Sequence, residues 1–215
     1  MTFKSTVGTV IASGLLFAGS QASAVTINLD NLAVGTTLSN QYAGVTFSAN
    51  TFTGAGSSTS GAAWATNTDM TVVSSTGSDV GGLGSPSLVS GNLLRSFSAW
   101  LNEDGDASFR VSFAAPVNFF SATFAGVSTA ADVTIWAYNG TTLLGTTSGT
   151  TSGQFVLSFA AASITSVAVR PGSFNDWVGV DNFTYTPAPV VPEVSTYAMM
   201  GLGMALLAFR RRKFA

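Results

Sequence analysis

The feature that most constrains the fold is an alternation of apolar and polar residues with a period of two, which recurs between Val25 and Tyr185. Side chains alternate between the two faces of a β-strand, so each run offers one apolar face and one face rich in serine and threonine. Gly, Ser and Thr turns separate the runs, and no helical pattern interrupts them. The alternating runs are residues 25–29, 45–48, 109–113, 133–138, 155–159, 164–169 and 178–185. This pattern predicts an all-β fold, an antiparallel β-sandwich with jelly-roll topology.

One turn has a specific signature. Asn139-Gly140 follows the run that ends at Tyr138 and precedes another apolar stretch. Asn-Gly suits the left-handed backbone of a type I′ turn. We therefore expect a tight hairpin centred on these two residues.

The absence of cysteine and histidine excludes several chemistries. Disulfides, thiol nucleophiles, zinc-thiolate sites and histidine-dependent triads all require those side chains. A hydrolase would need a pair of carboxyl groups instead. Glu103 has no acidic partner that the sequence alone identifies, so a glycoside hydrolase is the least favoured alternative and we expect a protein that is not an enzyme.

Charge excludes nucleic acid as a partner. The chain has a net charge of −2, but most of its cations lie near the two ends. Between residues 25 and 190 there are only three arginines and nine acids, which gives this part a net charge of −6. Nucleic-acid binding needs a basic surface that neutralises phosphates.

Residues 1–24 have the organisation of a secretory signal peptide. Lys4 provides a positive start, an apolar segment follows, and Ala22-Ser23-Ala24 fits the small-residue cleavage site. Cleavage between Ala24 and Val25 is expected to release the mature chain. The domain that follows is predicted to span residues 25–186.

The C-terminal region combines three features. Residues 187–190 form a proline-rich spacer, and residues 191–215 contain a short polar motif, an apolar helix and a basic end. The motif is Val191, Pro192, Glu193, Val194, Ser195 and Thr196, and the basic end is Arg210, Arg211, Arg212 and Lys213. The apolar run from Tyr197 to Phe209 is shorter than the roughly 20 residues of a typical membrane span. It is expected to be a marginal transmembrane helix, with the cations as its cytoplasmic stop.

This tail resembles the PEP-CTERM sorting signal of Gram-negative bacteria. The family pattern is Val-Pro-Glu-Pro-Ser-Thr before an apolar helix and an arginine-rich end, and Val194 stands where the second proline is usual. The resemblance covers about the last 25 residues. It implies an exosortase-type processing enzyme as partner, a transient inner-membrane intermediate, and delivery to the cell surface or extracellular matrix of an exopolysaccharide-producing cell. Permanent tethering by the tail is the alternative.

A second resemblance involves the two ends of the domain. The opening Ile27-Asn28-Leu29-Asp30-Asn31-Leu32 and the closing Gly179-Val180-Asp181-Asn182-Phe183 are similar to segments of exported PEP-CTERM domains. Such domains are similar in turn to galactose-binding-like jelly rolls of carbohydrate-binding modules. The resemblance implies an alternative function as a carbohydrate-binding module with structural calcium.

Two Asp-Asn pairs are the candidate calcium ligands. Asp30-Asn31 follows the first predicted strand, and Asp181-Asn182 lies in the last. Terminal strands of a sandwich can be neighbours, and Ca²⁺ takes six to eight oxygen ligands. The other interpretation is that these side chains satisfy turns through hydrogen bonds to the backbone.

Two tryptophans are candidate ligand-binding residues. Trp136 is in phase with Thr134 and Tyr138, which predicts that it faces away from the core. Trp177 follows Asn175-Asp176, whose side chains offer hydrogen bonds to sugar hydroxyls. The alternative is that both fill the core. Together these observations predict an exported, non-catalytic protein that associates with exopolysaccharide or biofilm matrix.

Overall fold

The computed structural model describes residues 23–49, 70–76, 87–97, 108–172, 177–189, 199–204, 207 and 210. Nearly all of the described chain up to Pro189 belongs to strands and the turns between them. The strands are β1 Val25–Ile27, β2 Val45–Ala49, β3 Thr71–Ser74, β4 Asn92–Phe97, β5 Phe109–Val127, β6 Thr134–Asn139, β7 Thr142–Ser148, β8 Gly153–Arg170 and β9 Trp177–Pro187, with a 3-10 helix at Ala130–Asp132. The strands pair in antiparallel fashion, so the predicted all-β antiparallel fold is confirmed.

The two longest strands, β5 and β8, join the two halves of the sheet. The strand order is β3-β4-β9-β5-β8-β6-β7, with β1 also paired to β9 and β2 also paired to β5. The first part of β5 pairs with β2, whereas its second part pairs with β9. The second part of β8 pairs with β6. Thus β5 and β8 run together from one half of the sheet into the other.

Both long strands bend at the same place. The register of β5 and β8 is interrupted between Ser112 and Val117, and again between Val117 and Phe119. Pro116 lies in this interval of β5, and Ser163 of β8 has a left-handed φ of 61°. Proline is tolerated at a bulge because no ladder hydrogen bond is lost there. The runs 155–159 and 164–169, which the sequence predicts separately, are therefore parts of one bent strand.

One core lies between the two halves. The ring centroid of Phe183 in β9 is 5.1 Å from that of Phe47 in β2 and 6.1 Å from that of Phe109 in β5, both in edge-on geometry. All three side chains are at most 2% exposed. Because β2 and β9 pair with different parts of β5, these contacts show that the halves face each other across the core.

The predicted hairpin forms, but its turn is displaced by one residue. Asn139 still pairs with Thr142, so the turn residues are Gly140 and Thr141. Gly140 has a φ of 57°, and Asn139 does not have the positive φ that a type I′ turn centred on Asn-Gly requires. The amide of Gly140 donates to Thr165 Oγ1 at 2.8 Å, which holds the turn against β8.

The terminal signals lie mostly outside the described residues. Of the predicted signal peptide only Ser23 and Ala24 are described, and both are exposed; Ala22 is not described. The motif 191–196 and residues 211–213 also lie outside. In the tail, residues 199–204, 207 and 210 are helical, and Arg210 is exposed. Among the residues that the structure describes, no helix is both long and apolar enough to cross a membrane.

The aromatic contacts at Phe183 lead to a prediction about stability. Phe183→Ala should lower the free energy of unfolding by about 3–5 kcal/mol, because it removes a buried ring and leaves a cavity. The control is Val156→Ala, at a side chain that is 58% exposed, where a change within about 0.5 kcal/mol is expected. Equilibrium denaturation measures both, and equal losses would contradict the core assignment.

Candidate functional site

The first candidate site is built around a bulge in β9. Ser121 of β5 pairs with Thr184, but Thr123 pairs with Asp181, so β9 contains one extra residue in this interval. Asn182 adopts a left-handed φ of 51°, which asparagine tolerates better than most residues. The bulge allows Val180 and Phe183 to remain in the core while Asp181 lies on the opposite side, beside Thr123.

On the side of β9 away from β5, the neighbouring strand changes from β1 to β4 opposite this bulge. β9 pairs with β1 through residues 183–185 and with β4 through residues 177–180. The turn after β1 and the start of β4 therefore meet beside Asp181. Leu29, with a φ of 61°, directs the chain into this turn.

Asp30 joins the turn to the start of β4. Its Oδ1 accepts a hydrogen bond from the backbone amide of Asn92 at 2.8 Å, and its Oδ2 accepts one from Asn28 Nδ2 at 2.9 Å. Gly91 lies directly against Asp30 Oδ1, and any Cβ at that position would collide with the carboxylate. Both oxygens of Asp30 thus have N–H donors.

Asp181 is the most deeply buried acid among the described residues, at 1% exposure. Its Oδ1 accepts from the amide of Asn182 at 2.7 Å, and the amide of Ser90 also donates to the carboxylate. Burial raises the pKa of Asp181 to about 7, and the nearby charge of Asp30 adds to this, while the two amides oppose it. The side chain of Asn182 donates to the carbonyl of Leu88 at 3.4 Å.

Tyr42 completes the cluster. Its hydroxyl donates to Asn31 Oδ1 at 2.6 Å. Burial raises the pKa of the Tyr42 phenol, and the charges of Asp30 and Asp181 raise it further. The two Asp-Asn pairs, which the sequence places at opposite ends of the domain, are therefore brought together at one edge of β9.

The candidate calcium ligands make hydrogen bonds within the fold. The oxygens of Asp30, the side-chain oxygen of Asn31 and one oxygen of Asp181 already accept hydrogen bonds, and Asn182 donates through its amide nitrogen. Within the described part of the chain no three acidic residues gather around one point. Six to eight oxygens facing one centre are needed for Ca²⁺. These hydrogen bonds match the other interpretation, in which the side chains satisfy turns and strand ends, and calcium binding stays a prediction.

The second candidate site lies on the outer face of the other half of the sheet. Here Arg110 of β5 is level with Ala168 of β8, which is level with Trp136 of β6. Two residues further along these strands, Ser166 is level with Tyr138. Trp136 is half-buried and belongs to this outer face, as its phase in the sequence predicts.

Arg110 reaches across β8 to an aromatic ring on β6. Its Nη1 donates to Ser166 Oγ at 2.7 Å, and its Cζ lies 4.9 Å from the centre of the Tyr138 ring. Such stacking of a guanidinium on a ring is a cation–π contact. Burial lowers the pKa of Arg110 and raises that of Tyr138.

Arg170 makes the matching contact on the other side. Its Cζ is 5.7 Å from the centre of the Trp136 ring. Its Nε donates to the carbonyl of Asp132 at 2.7 Å, and its Nη2 is 3.8 Å from Asp132 Oδ1. We call Arg110, Trp136, Tyr138 and Arg170 the arginine–aromatic face. The alternation of residues along the strand predicts that Trp136 belongs to this face, but no pattern in the sequence marks the two arginines.

Trp177, the other predicted aromatic ligand, begins β9. Its backbone pairs with Phe97 of β4, which belongs to the half of the sheet without the arginine–aromatic face. Its side chain lies outside the described part of the structure, so its role in ligand binding stays a prediction.

Comparison with known proteins adds no functional assignment. No protein-family model matches the chain, and no curated protein is significantly similar to it in sequence.

The hydrogen-bonded cluster predicts the response to calcium. Adding calcium chloride or a chelator should leave the melting temperature unchanged, since the oxygens of Asp30 and Asn31 are already occupied. Differential scanning calorimetry measures this directly. A rise in melting temperature that is specific to calcium and absent in Asp181→Asn would instead support the calcium interpretation.

The raised pKa of Asp181 also predicts that the stability of the fold depends on pH. Its folded-state pKa of about 7 lies above the ordinary value of 3.8, so the folded chain binds this proton more tightly than the unfolded chain. Its contribution to stability is full below pH 3.8 and is lost as pH rises towards 7. Asp181→Asn should remove this decline between about pH 4 and about pH 7.

The control for the pH experiment is Asp132→Asn, which makes the same chemical change on a half-exposed side chain of the other half of the sheet. Chemical denaturation at several pH values compares the wild type with both variants. If stability still declines with rising pH in Asp181→Asn, groups other than Asp181 cause the decline.

Proposed function

We propose that this chain is an exported, non-catalytic β-sandwich protein of jelly-roll type that associates with exopolysaccharide at the cell surface or in the extracellular matrix. Two independent features support the proposal. One is the pair of terminal signals in the sequence, and the other is the arginine–aromatic face of the folded domain.

The arginine–aromatic face carries the binding part of the proposal. Arg110 and Arg170 lie on β5 and β8, which are held on both sides by neighbouring strands, so these groups are fixed before any ligand arrives. Preorganised side chains lose less conformational entropy on binding. Exposed hydroxyls border the face on both sides, from Thr46, Ser48, Thr146 and Ser148. A surface of fixed donors bordered by hydroxyls suits a polysaccharide, which presents many hydroxyl and carboxyl oxygens.

The terminal segments carry the location part of the proposal. Residues 1–24 direct export, and the domain then remains attached to the inner membrane through the apolar run 197–209. An exosortase-type enzyme recognises the motif around Pro192 and Glu193 and releases the domain. This sequence of events follows from the resemblance to PEP-CTERM tails.

The location is tested by intact-mass analysis of chains recovered from membrane, envelope and culture-medium fractions. The released form should begin at Val25 and end near the motif 191–196. Replacing Arg210 to Lys213 by alanine should reduce the released form, because the cytoplasmic stop is lost. Full-length tails confined to the inner membrane in the wild type would contradict processing and favour permanent tethering.

Association with polysaccharide is tested in the producing cell. Deleting exopolysaccharide synthesis should move the processed chain from the matrix fraction into the free medium, since its attachment surface is then missing. An unchanged distribution between matrix and medium would contradict the proposed association.

A further inference from the structure

We propose that the arginine–aromatic face binds an acidic polysaccharide, a polymer of sugars that carry uronic-acid carboxylates, and that Arg110 and Arg170 are the carboxylate-binding residues. This inference rests on the proposed function and specifies its ligand class.

The first argument is that guanidinium groups lie over the aromatic rings. Arg110 lies over Tyr138 at 4.9 Å, and Arg170 lies over Trp136 at 5.7 Å. Neutral sugars bind aromatic side chains by packing their C–H faces on an open ring face, and here a guanidinium covers one face of each ring. What the face offers instead is a pair of cations, and the planar N–H fork of arginine matches a carboxylate in geometry and charge.

The second argument concerns the hydrogen bonds of Arg170. A guanidinium has five N–H donors. Its Nε is committed to the Asp132 carbonyl, whereas the 3.8 Å separation between Nη2 and Asp132 Oδ1 is longer than a hydrogen bond. The side chain is 30% exposed. Arg170 is thus oriented by one strong bond and a ring, while part of its side chain is open to solvent.

The third argument is the distribution of charge. Only three arginines occur between residues 25 and 190, in a region of net charge −6. Two of them lie on this face, while Arg95 belongs to β4 in the other half of the sheet. They lie on neighbouring strands, offset by two residues, which separates their Cα atoms by about 8 Å. With Asp132 beside Arg170 counted, the face has a charge of +1 in a domain of −6, and it is there that an anion is favoured.

The same charge distribution favours an acidic polysaccharide over nucleic acid as the bound polyanion. Double-stranded nucleic acid carries about one charge per 1.7 Å and needs a broad basic surface. The acidic remainder of the domain would repel such a chain. A polysaccharide has at most about one carboxylate per sugar, so two arginines with hydroxyls around them suit it better.

The test measures binding of the purified chain to immobilised polygalacturonate, to its methyl-esterified form and to neutral dextran. Polygalacturonate should bind, and esterification, which removes the charge but keeps the sugar backbone, should weaken binding at least about tenfold. Arg170→Gln should weaken binding to polygalacturonate by a similar factor, and so should Arg110→Gln. Arg95→Gln makes the same change away from the face and should leave binding unchanged.

Melting temperatures accompany each variant, and Arg170→Gln is decisive because the Arg170 side chain is 30% exposed. Unchanged binding by folded Arg170→Gln, or an equal loss in Arg95→Gln, would overturn the assignment to this face. Equal binding to the esterified and charged polymers would overturn the acidic ligand class but leave association with polysaccharide standing. Binding to none of the three polymers would overturn both.

Discussion

The fold depends on the pairing of β5 with β8. These strands are hydrogen-bonded along both sides of a shared bend, and they carry the chain from one half of the sheet to the other. β2 and β6 attach at one end of the pair and β9 at the other, so the core forms only if the pair bends at the right place. A bulge concentrates twist and curvature in a strand, and Pro116 with Ser163 provides that curvature on both strands at once.

The two polar sites illustrate different ways to keep charge in a half-buried setting. Burial raises the pKa of Asp181 to about 7, and the backbone amides offset part of the hydration that its charged form loses. Arg110 and Arg170 keep their charge by resting on aromatic rings, where the ring quadrupole replaces some of the lost water. The first arrangement fixes the edge where β1, β4 and β9 meet. The second leaves two cations on the outer face of the sheet.

Much of the strand content is predictable because alternation reflects a local property, the two faces of a strand. The continuity of a strand is not a local property: the sequence predicts the runs 155–159 and 164–169 separately, although in the fold they are parts of one bent strand. The meeting of Asp30 with Asp181 follows from neighbouring terminal strands, and the sequence anticipates it. The amides of Ser90 and Asn92, which donate hydrogen bonds to these acids, come from a segment that is distant in the sequence. The stacking of Arg170 on Trp136 depends on strand register, which no spacing in the sequence encodes.

The pairing of Val25 with Tyr185 places the beginning and the end of the domain side by side on adjacent strands. A pull on the tail through Pro187 acts along β9, between β5 on one side and β1 and β4 on the other. Ladder hydrogen bonds run perpendicular to the strands, so such a force shears many of them together instead of opening them one by one. Shearing a whole ladder at once requires more force than opening it bond by bond, so the pairing of β9 resists a pull on its C-terminal end.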